Sequence, residues 1–321
     1  MPGFFEYLVL IPSLLLSLAI VVPLSGVLVR FRANYTPRGL ALDNEGSAVP
    51  HTGPVVQSYF MMFKRVWQIE GFSGLYKGLM PTLITTLAVS IVILAFLDTS
   101  HRHGAYRAPA AGYLGTLIYS LGMMTLSLPS AIITSVSITT PHKLPYLNPI
   151  KSLRVLLTPT EMRRPWIIYF TPGLLAAECL HVVYITLILG PLHRLLVPMA
   201  VEGSGVAYPE ISPVKLSVYF AIVLVSTGIL TPLEVISTRL AIQRNHASAE
   251  YNSVTQEVDG EAEEVTEFAG AEEDVIGLRN EAEPYLGLVD CAKTIINEEG
   301  FRALYRAWWL TLLGGLVSAL G

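Results

Sequence analysis

Hydrophobic positions along this chain fall into six long runs, with the polar residues gathered between them. Leu8–Val29 is uncharged, Leu79–Leu97 is the second run, and Ala108–Pro141 is a long uncharged stretch interrupted by Gly and Pro. Trp166–Leu192, Leu216–Leu233 and the shorter Ala307–Gly321 complete the set. A helix of about 20 apolar residues crosses the hydrocarbon core of a bilayer, so the pattern predicts six membrane spans. Between the spans lie short amphipathic segments: Val55–Gln68, Ile150–Leu157 and Leu286–Asn297. In the last of these Leu288, Ala292, Ile295 and Ile296 recur at helical spacing while Asp290, Lys293 and Glu299 take the other side, and Gly300 supplies the stop.

The layout repeats. Trp67–Gly78 matches the stretch ending at Trp309, with Glu70-Gly71 on Glu299-Gly300, Tyr76 on Tyr305 and Lys77 on Arg306. The odd spans carry Pro23, Pro129 and Pro232, spaced by 106 and 103 residues. The even spans start alike around Pro81 and Pro172. Three copies of helix, loop, short helix and helix, each about 100 residues, make the internal repeat: 1–104, 105–205 and 206–321. Membrane proteins built from repeats often frame a site near the bilayer midplane.

Composition agrees with a membrane protein. The chain has 321 residues, 52% hydrophobic and 14% charged, with mean hydropathy +0.52, against about 25% charged in an ordinary soluble domain. The net charge of −4 conceals a segregation: residues 250–283 hold twelve acids and one base, Arg279, leaving thirteen acids against twenty bases elsewhere. The body is thus basic, as suits loops facing anionic lipid headgroups. The segment 246–284 is polar, acidic and poor in aromatics, so it is expected to be a disordered insertion in the third repeat. It is either a tolerated loop or an acidic surface for protein partners. Cys179 and Cys291 show no disulfide or metal spacing. The N-terminus lacks an Arg- and Ser-rich presequence and reads as the first span.

Pro232-Leu233-Glu234, Arg239 seven residues after the proline, and Glu298 to Arg306 with its Glu-Gly and Tyr-Arg elements resemble the signature of the mitochondrial carrier family. The resemblance implies an all-α membrane protein with six tilted transmembrane helices around a central cavity, and short helices along one membrane face. It implies transport, mitochondrial membranes and no cofactor. It also implies that the acid and base of each proline motif pair between helices to close a gate. Here those slots hold Ser25 and Leu28, Ala131 and Thr134, and Glu234 and Ser237, so Glu234 is a gate remnant. A second family pairing braces each repeat internally. Arg30 with Glu70 and Arg239 with Glu299 retain it, whereas the second repeat has Val136 beside a surviving Glu161.

The family's substrate contacts lie about two turns past the aromatic-base-Gly motif. By that count they fall on Thr85 and Gly314, with Ala176 as the second-repeat equivalent. None is charged, so no fixed cation there would hold an anion. The sixth span, ending at Gly321, is also expected to lack the outer gate positions. Glu178 and His181 lie three apart on one span and can touch. An ionisable residue inside a span points to function, here a proton-linked or polar-substrate contact, against a purely structural Glu–His hydrogen bond. His101, His103 and His246 read as loop histidines, and Trp308 and Trp309 as interface anchors. No nucleophile–base set, phosphate loop, metal cluster or nucleic-acid surface stands out, so an enzyme is not expected. Two functions remain. One is a carrier of a small neutral or weakly polar solute, in contact with membrane lipids. The other is a non-transporting scaffold, fusion or insertion factor that resembles degenerate carrier-like proteins of the mitochondrial outer membrane.

Overall fold

The computed structural model describes residues 4–38, 41–42, 48–49, 53–97, 112–145, 148–196, 212–244, 274–280 and 283–320. His101, His103, His246 and most of the acidic segment lie outside them. Helices stand at all six predicted places: α1 (Phe4–Ala33), α4 (Leu79–Leu97), α5 (Gly112–Thr139), the pair α8 (Leu174–Tyr184) and α9 (Gly190–Leu196), α10 (Pro213–Ala241) and α12 (Trp308–Leu320). Between them run α2 (Tyr59–Ile69), α3 (Gly71–Leu75), α6 (Pro149–Leu156), α7 (Pro159–Arg163) and α11 (Leu288–Glu298). Among the described residues a two-residue antiparallel ladder, β1 (Ala41–Leu42) with β2 (Ala48–Val49), stands beside the helices.

Among the described residues four stretches, Leu15–Ala33, Gly112–Thr139, Leu174–Leu196 and Pro213–Ala241, are long and apolar enough to cross a membrane. Most of their surface faces outward, and only 17% of the Leu174–Leu196 stretch is buried inside the protein. An apolar helix so exposed needs lipid around it. The fourth span begins later than the hydrophobic run predicts, because Pro165–Phe170 is a 3-10 turn and Gly173, at φ 80°, starts the helix. A side chain at Gly173 would put its Cβ 2.2 Å from the Leu288 backbone nitrogen. Its absence lets α8 meet the start of α11. Further along, Gly190 N–H bonds to Ile185 O in a π turn (Ile185–Leu189) just before Pro191, which has no N–H to give.

Local signals explain the short helices. Ser58 caps α2 by accepting from Met61 N–H, and Asn148 caps α6 by accepting from Lys151 N–H. The described residues gather into two compact units that cut across the repeats. The first holds 1–98, 129–171 and 241–284; the second holds 99–128, 172–240 and 285–321. In the second unit Leu189, Tyr219, Val223 and Leu230 form a core with Tyr184, Leu312 and Leu316 against it.

The expected disorder of 246–284 does not extend to 274–280. Val275 and Ile276 are buried in the first unit, and Arg65 donates to the carbonyls of Val275 and Asp274 at 3.0 Å each. Gly277 is bonded twice, its N–H to Asn34 Oδ1 and its carbonyl to Tyr35 N–H. Two apolar side chains within an acidic sequence are enough to seat this piece. The residues at 246–273 lie outside those described.

Candidate functional site

Two buried carboxylates organise the ends of the repeats, each held by two bases. In the first unit Arg30 Nη2 lies 2.6 Å from Glu70 Oε2 and its Nη1 donates to Gly74 O, while Lys77 Nζ bonds Glu70 Oε1 and reaches Thr140 O at 2.8 Å. In the second unit Arg239 Nη2 lies 2.8 Å from Glu299 Oε1, and Arg306 Nη2 lies 2.9 Å from Glu299 Oε2. The second base in each set comes from the Tyr-Lys and Tyr-Arg motifs, a role the sequence reading did not assign. Burial pulls Lys77 below the ordinary lysine range, with Glu70 opposing. Burial and then the neighbouring Arg239 pull Arg306 down to about 10, again against Glu299. The lone carboxylate is what makes two buried cations tolerable.

The second repeat keeps the acid and has lost both bases. Val136 and Ile168 stand where the two bases would be, and both are buried. Glu161, left without them, closes a capping box instead: Thr158 Oγ1 accepts from Glu161 N–H and Glu161 Oε2 accepts from Thr158 N–H. With both base positions apolar, no buried cation is left without its carboxylate.

The tyrosines of the same motif repair the proline breaks. Pro23 and Pro232 offer no N–H to the carbonyl four residues earlier. Those carbonyls, Ala19 O and Gly228 O, accept instead from Tyr76 OH at 2.9 Å and Tyr305 OH at 3.1 Å. In the second repeat Ile167 takes the tyrosine's place. A proline in an odd helix and a tyrosine six residues past the buried Glu are thus one structural device.

The ionisable groups inside the spans meet in the second unit. Glu234 on α10 accepts from Thr311 Oγ1 on α12 at 2.6 Å, and its other oxygen lies 3.5 Å from His181 Nε2 on α8. Both side chains are about a quarter exposed, at 25% and 24%. The His181 Nε2 atom is shielded and makes no hydrogen bond. Tyr184 OH to Ser226 Oγ at 3.0 Å joins α8 to α10 again, and the His193 and Tyr219 rings meet edge to face between α9 and α10. His181 therefore faces Glu234 and not Glu178, which forms no ion pair among the described residues. Spacing along one helix allowed the Glu178 contact, but the crossing of α8 and α10 decides it. One turn before Glu234, the fully buried Thr231 hydroxyl has no hydrogen-bond partner.

The three counted contact positions differ. Thr85 is part-buried, donates to Pro81 O at 2.6 Å, and its hydroxyl meets Ser130 Oγ on α5. Ala176 and Gly314 are exposed, and a Cβ at Gly314 would touch nothing within 4 Å. Metal-binding groups of three or more His, Cys, Asp or Glu are absent among the described residues.

No curated protein matches this sequence. The family model for the mitochondrial carrier protein matches residues 15–106 and 220–320. The matched stretches cover the first and third repeats, the two that keep the doubly held Glu and the tyrosine, and leave out most of the second, which has lost both. Together they span more than half of the chain, and the chain belongs to the mitochondrial carrier family.

Proposed function

We propose that this carrier moves a small neutral or weakly polar solute across a mitochondrial membrane by alternating access, with the inner membrane as its place. One observation carries the reading: the cations seven residues past Pro23 and Pro232 are committed to structure. Arg30 is bound to Glu70 and Arg239 to Glu299, both pairs almost fully buried. The counted contact positions are Thr85, Ala176 and Gly314, so an anionic cargo finds no fixed base at them. Among the described residues the spans also offer hydroxyls, Glu178 and the Glu234–His181 pair.

A second reading has its own observation. Thr85 with Ser130, and Glu234 with Thr311 and His181, are side-chain contacts between spans. Such ties suit a static carrier-derived scaffold or insertion factor of the outer membrane. Reconstitution into liposomes with a panel of labelled neutral metabolites separates the two. Saturable, exchange-stimulated uptake is expected, and its absence across the panel in correctly folded protein overturns the transport reading. Protease accessibility on intact mitochondria then decides the membrane, and cleavage of the loops without rupturing the outer membrane would count against the inner one.

A further inference from the structure

We propose that His181 and Glu234 form a one-proton site between α8 and α10, and that the proton it takes moves with the cargo. The inference rests on the carrier reading above for its second half and stands on geometry for its first. Three facts carry it. His181 Nε2 is shielded from solvent and makes no hydrogen bond, although a buried ring nitrogen normally has a partner. Glu234 Oε1 lies 3.5 Å from it, so a sub-ångström side-chain adjustment closes a hydrogen bond once that nitrogen carries a proton. Thr311 Oγ1 donates to the other carboxylate oxygen at 2.6 Å, fixing the carboxylate's orientation from a third helix.

With the proton absent, the pair is a neutral imidazole beside a carboxylate and carries one negative charge in an apolar span. With the proton present, it is an imidazolium–carboxylate pair with no net charge. A mid-bilayer charge is costly, so loading the proton changes the ease with which these helices rearrange. The other charged and titratable groups along the packed elements are accounted for. On α8, Glu178 is one turn from His181 and adds a second carboxylate of the same sign, and Cys179 and Tyr184 are neutral neighbours, the latter bonded to Ser226. On α10, Arg239 is bound to Glu299, Tyr219 packs on His193, and Lys215 sits at the far end. On α12 there is no charged residue between Trp308 and Leu320. On α11, which meets α8 at Gly173, Asp290 accepts from Leu286 N–H and Lys293 is exposed. A neutral cargo brings no charge of its own, so a proton bound here is the means by which a pH gradient or membrane potential acts on its transport.

The test has two arms. In the first, the purified full-length protein carries isotope-labelled histidine, and the His181 signal among the seven is assigned by its loss in His181→Gln. It is expected to pass from the neutral to the protonated form as pH is lowered, and the pH at which it does so is expected to shift in Glu234→Gln. A signal that stays neutral throughout, or a midpoint indifferent to Glu234→Gln, overturns the proton site. In the second arm, liposomes holding the protein and a trapped pH dye are given an imposed pH gradient and a neutral solute that supports uptake. Gradient-stimulated uptake with acidification of the lumen is expected, and the stimulation is lost in Glu234→Gln. Saturable uptake that ignores the gradient overturns the coupling alone. No saturable uptake of any solute overturns the carrier reading and the coupling with it, while the titration still decides the site.

Discussion

Removing Glu299 should damage the protein far more than removing either of the bases that hold it. Arg239 and Arg306 both sit on this carboxylate, at 2.8 and 2.9 Å, with side-chain exposures of 2%, 12% and, for Glu299 itself, 1%. The set carries one surplus positive charge. At an effective dielectric near 20, each contact at about 4 Å contributes ~4 kcal/mol of attraction and the two guanidiniums repel by a similar order. Desolvation offsets much of this, and breaking a buried pair costs about 3–5 kcal/mol net. Glu299→Gln removes both attractions and leaves the repulsion, so it belongs at the top of that range, about 5 kcal/mol. Arg306→Met leaves a neutral Arg239–Glu299 pair and removes a cation that burial disfavours, so its cost should be about 1 kcal/mol. For a chain of this length ~1 kcal/mol moves the melting midpoint by about 2 °C. The expected losses are therefore about 10 °C for Glu299→Gln and about 2 °C for Arg306→Met. A thiol-reactive dye can read the melt through Cys291, which is fully buried in α11 beside the site. Equal losses in the two variants, or a silent Glu299→Gln, would refute the reasoning.

Tyr305→Phe should lower the melting midpoint by about 2 °C, because one hydrogen bond worth ~1 kcal/mol is lost and the Gly228 carbonyl is left short of a donor; Tyr76→Phe should do the same at Ala19, and the double variant should be additive. Gly173→Ala should abolish the monodisperse peak on size exclusion, since its Cβ would overlap the Leu288 backbone and its φ is 80°. His142 is held below its ordinary value of 6.5 by burial first and then by Arg244 and Lys77, against Asp274. The unfolded chain therefore takes up this proton before the folded one. Stability is full above the unfolded value near 6.5 and falls as pH drops toward the folded one, so His142→Asn should flatten melting curves between pH 7 and pH 5.

The six helices were legible because apolar runs of membrane length have few alternatives. The Arg30–Glu70 and Arg239–Glu299 spacings were legible because charged residues are scarce in such runs. The roles of Lys77 and Arg306 escaped although their positions were aligned, because sequence spacing along a turn and a 3-10 segment does not say that the side chain folds back on its own Glu. His181 illustrates the other blind spot. Periodicity on α8 offers Glu178 as its partner, but the choice of Glu234 depends on how α8 crosses α10, a tertiary fact with no local signal. The segment 274–280 escaped for a compositional reason: Val275 and Ile276 are two residues in a stretch whose average is acidic, and averaging hides them.

The same position in the first and third repeats allows a last argument. Gly78 and Ala307 both follow the aromatic-base pair, and both adopt positive φ, 88° and 57°. For Gly78 the reason is twofold: a Cβ would lie 2.9 Å from Ile138 Cγ1 and 3.3 Å from Thr134 Cγ2, so the chain there needs both the left-handed backbone and the missing side chain. Gly78→Ala should thus cost the ~1–2 kcal/mol of a left-handed L-residue plus the overpacking, typically 1–3 kcal/mol. Ala307 already bears the first cost and has found room for its methyl, buried at 5% exposure. Ala307→Gly relieves ~1–2 kcal/mol of backbone strain, loses ~0.8 kcal/mol of methyl burial and adds ~0.4–1 kcal/mol of unfolded-state freedom. The net should be within about 1 kcal/mol of zero. Melting of the two purified variants side by side tests this: Gly78→Ala should fall by several degrees and Ala307→Gly should stay near the parent. A large gain in Ala307→Gly would show that the third repeat is still strained at this turn. A loss as large as that of Gly78→Ala would show instead that the Ala307 methyl has become part of the packing that α12 requires.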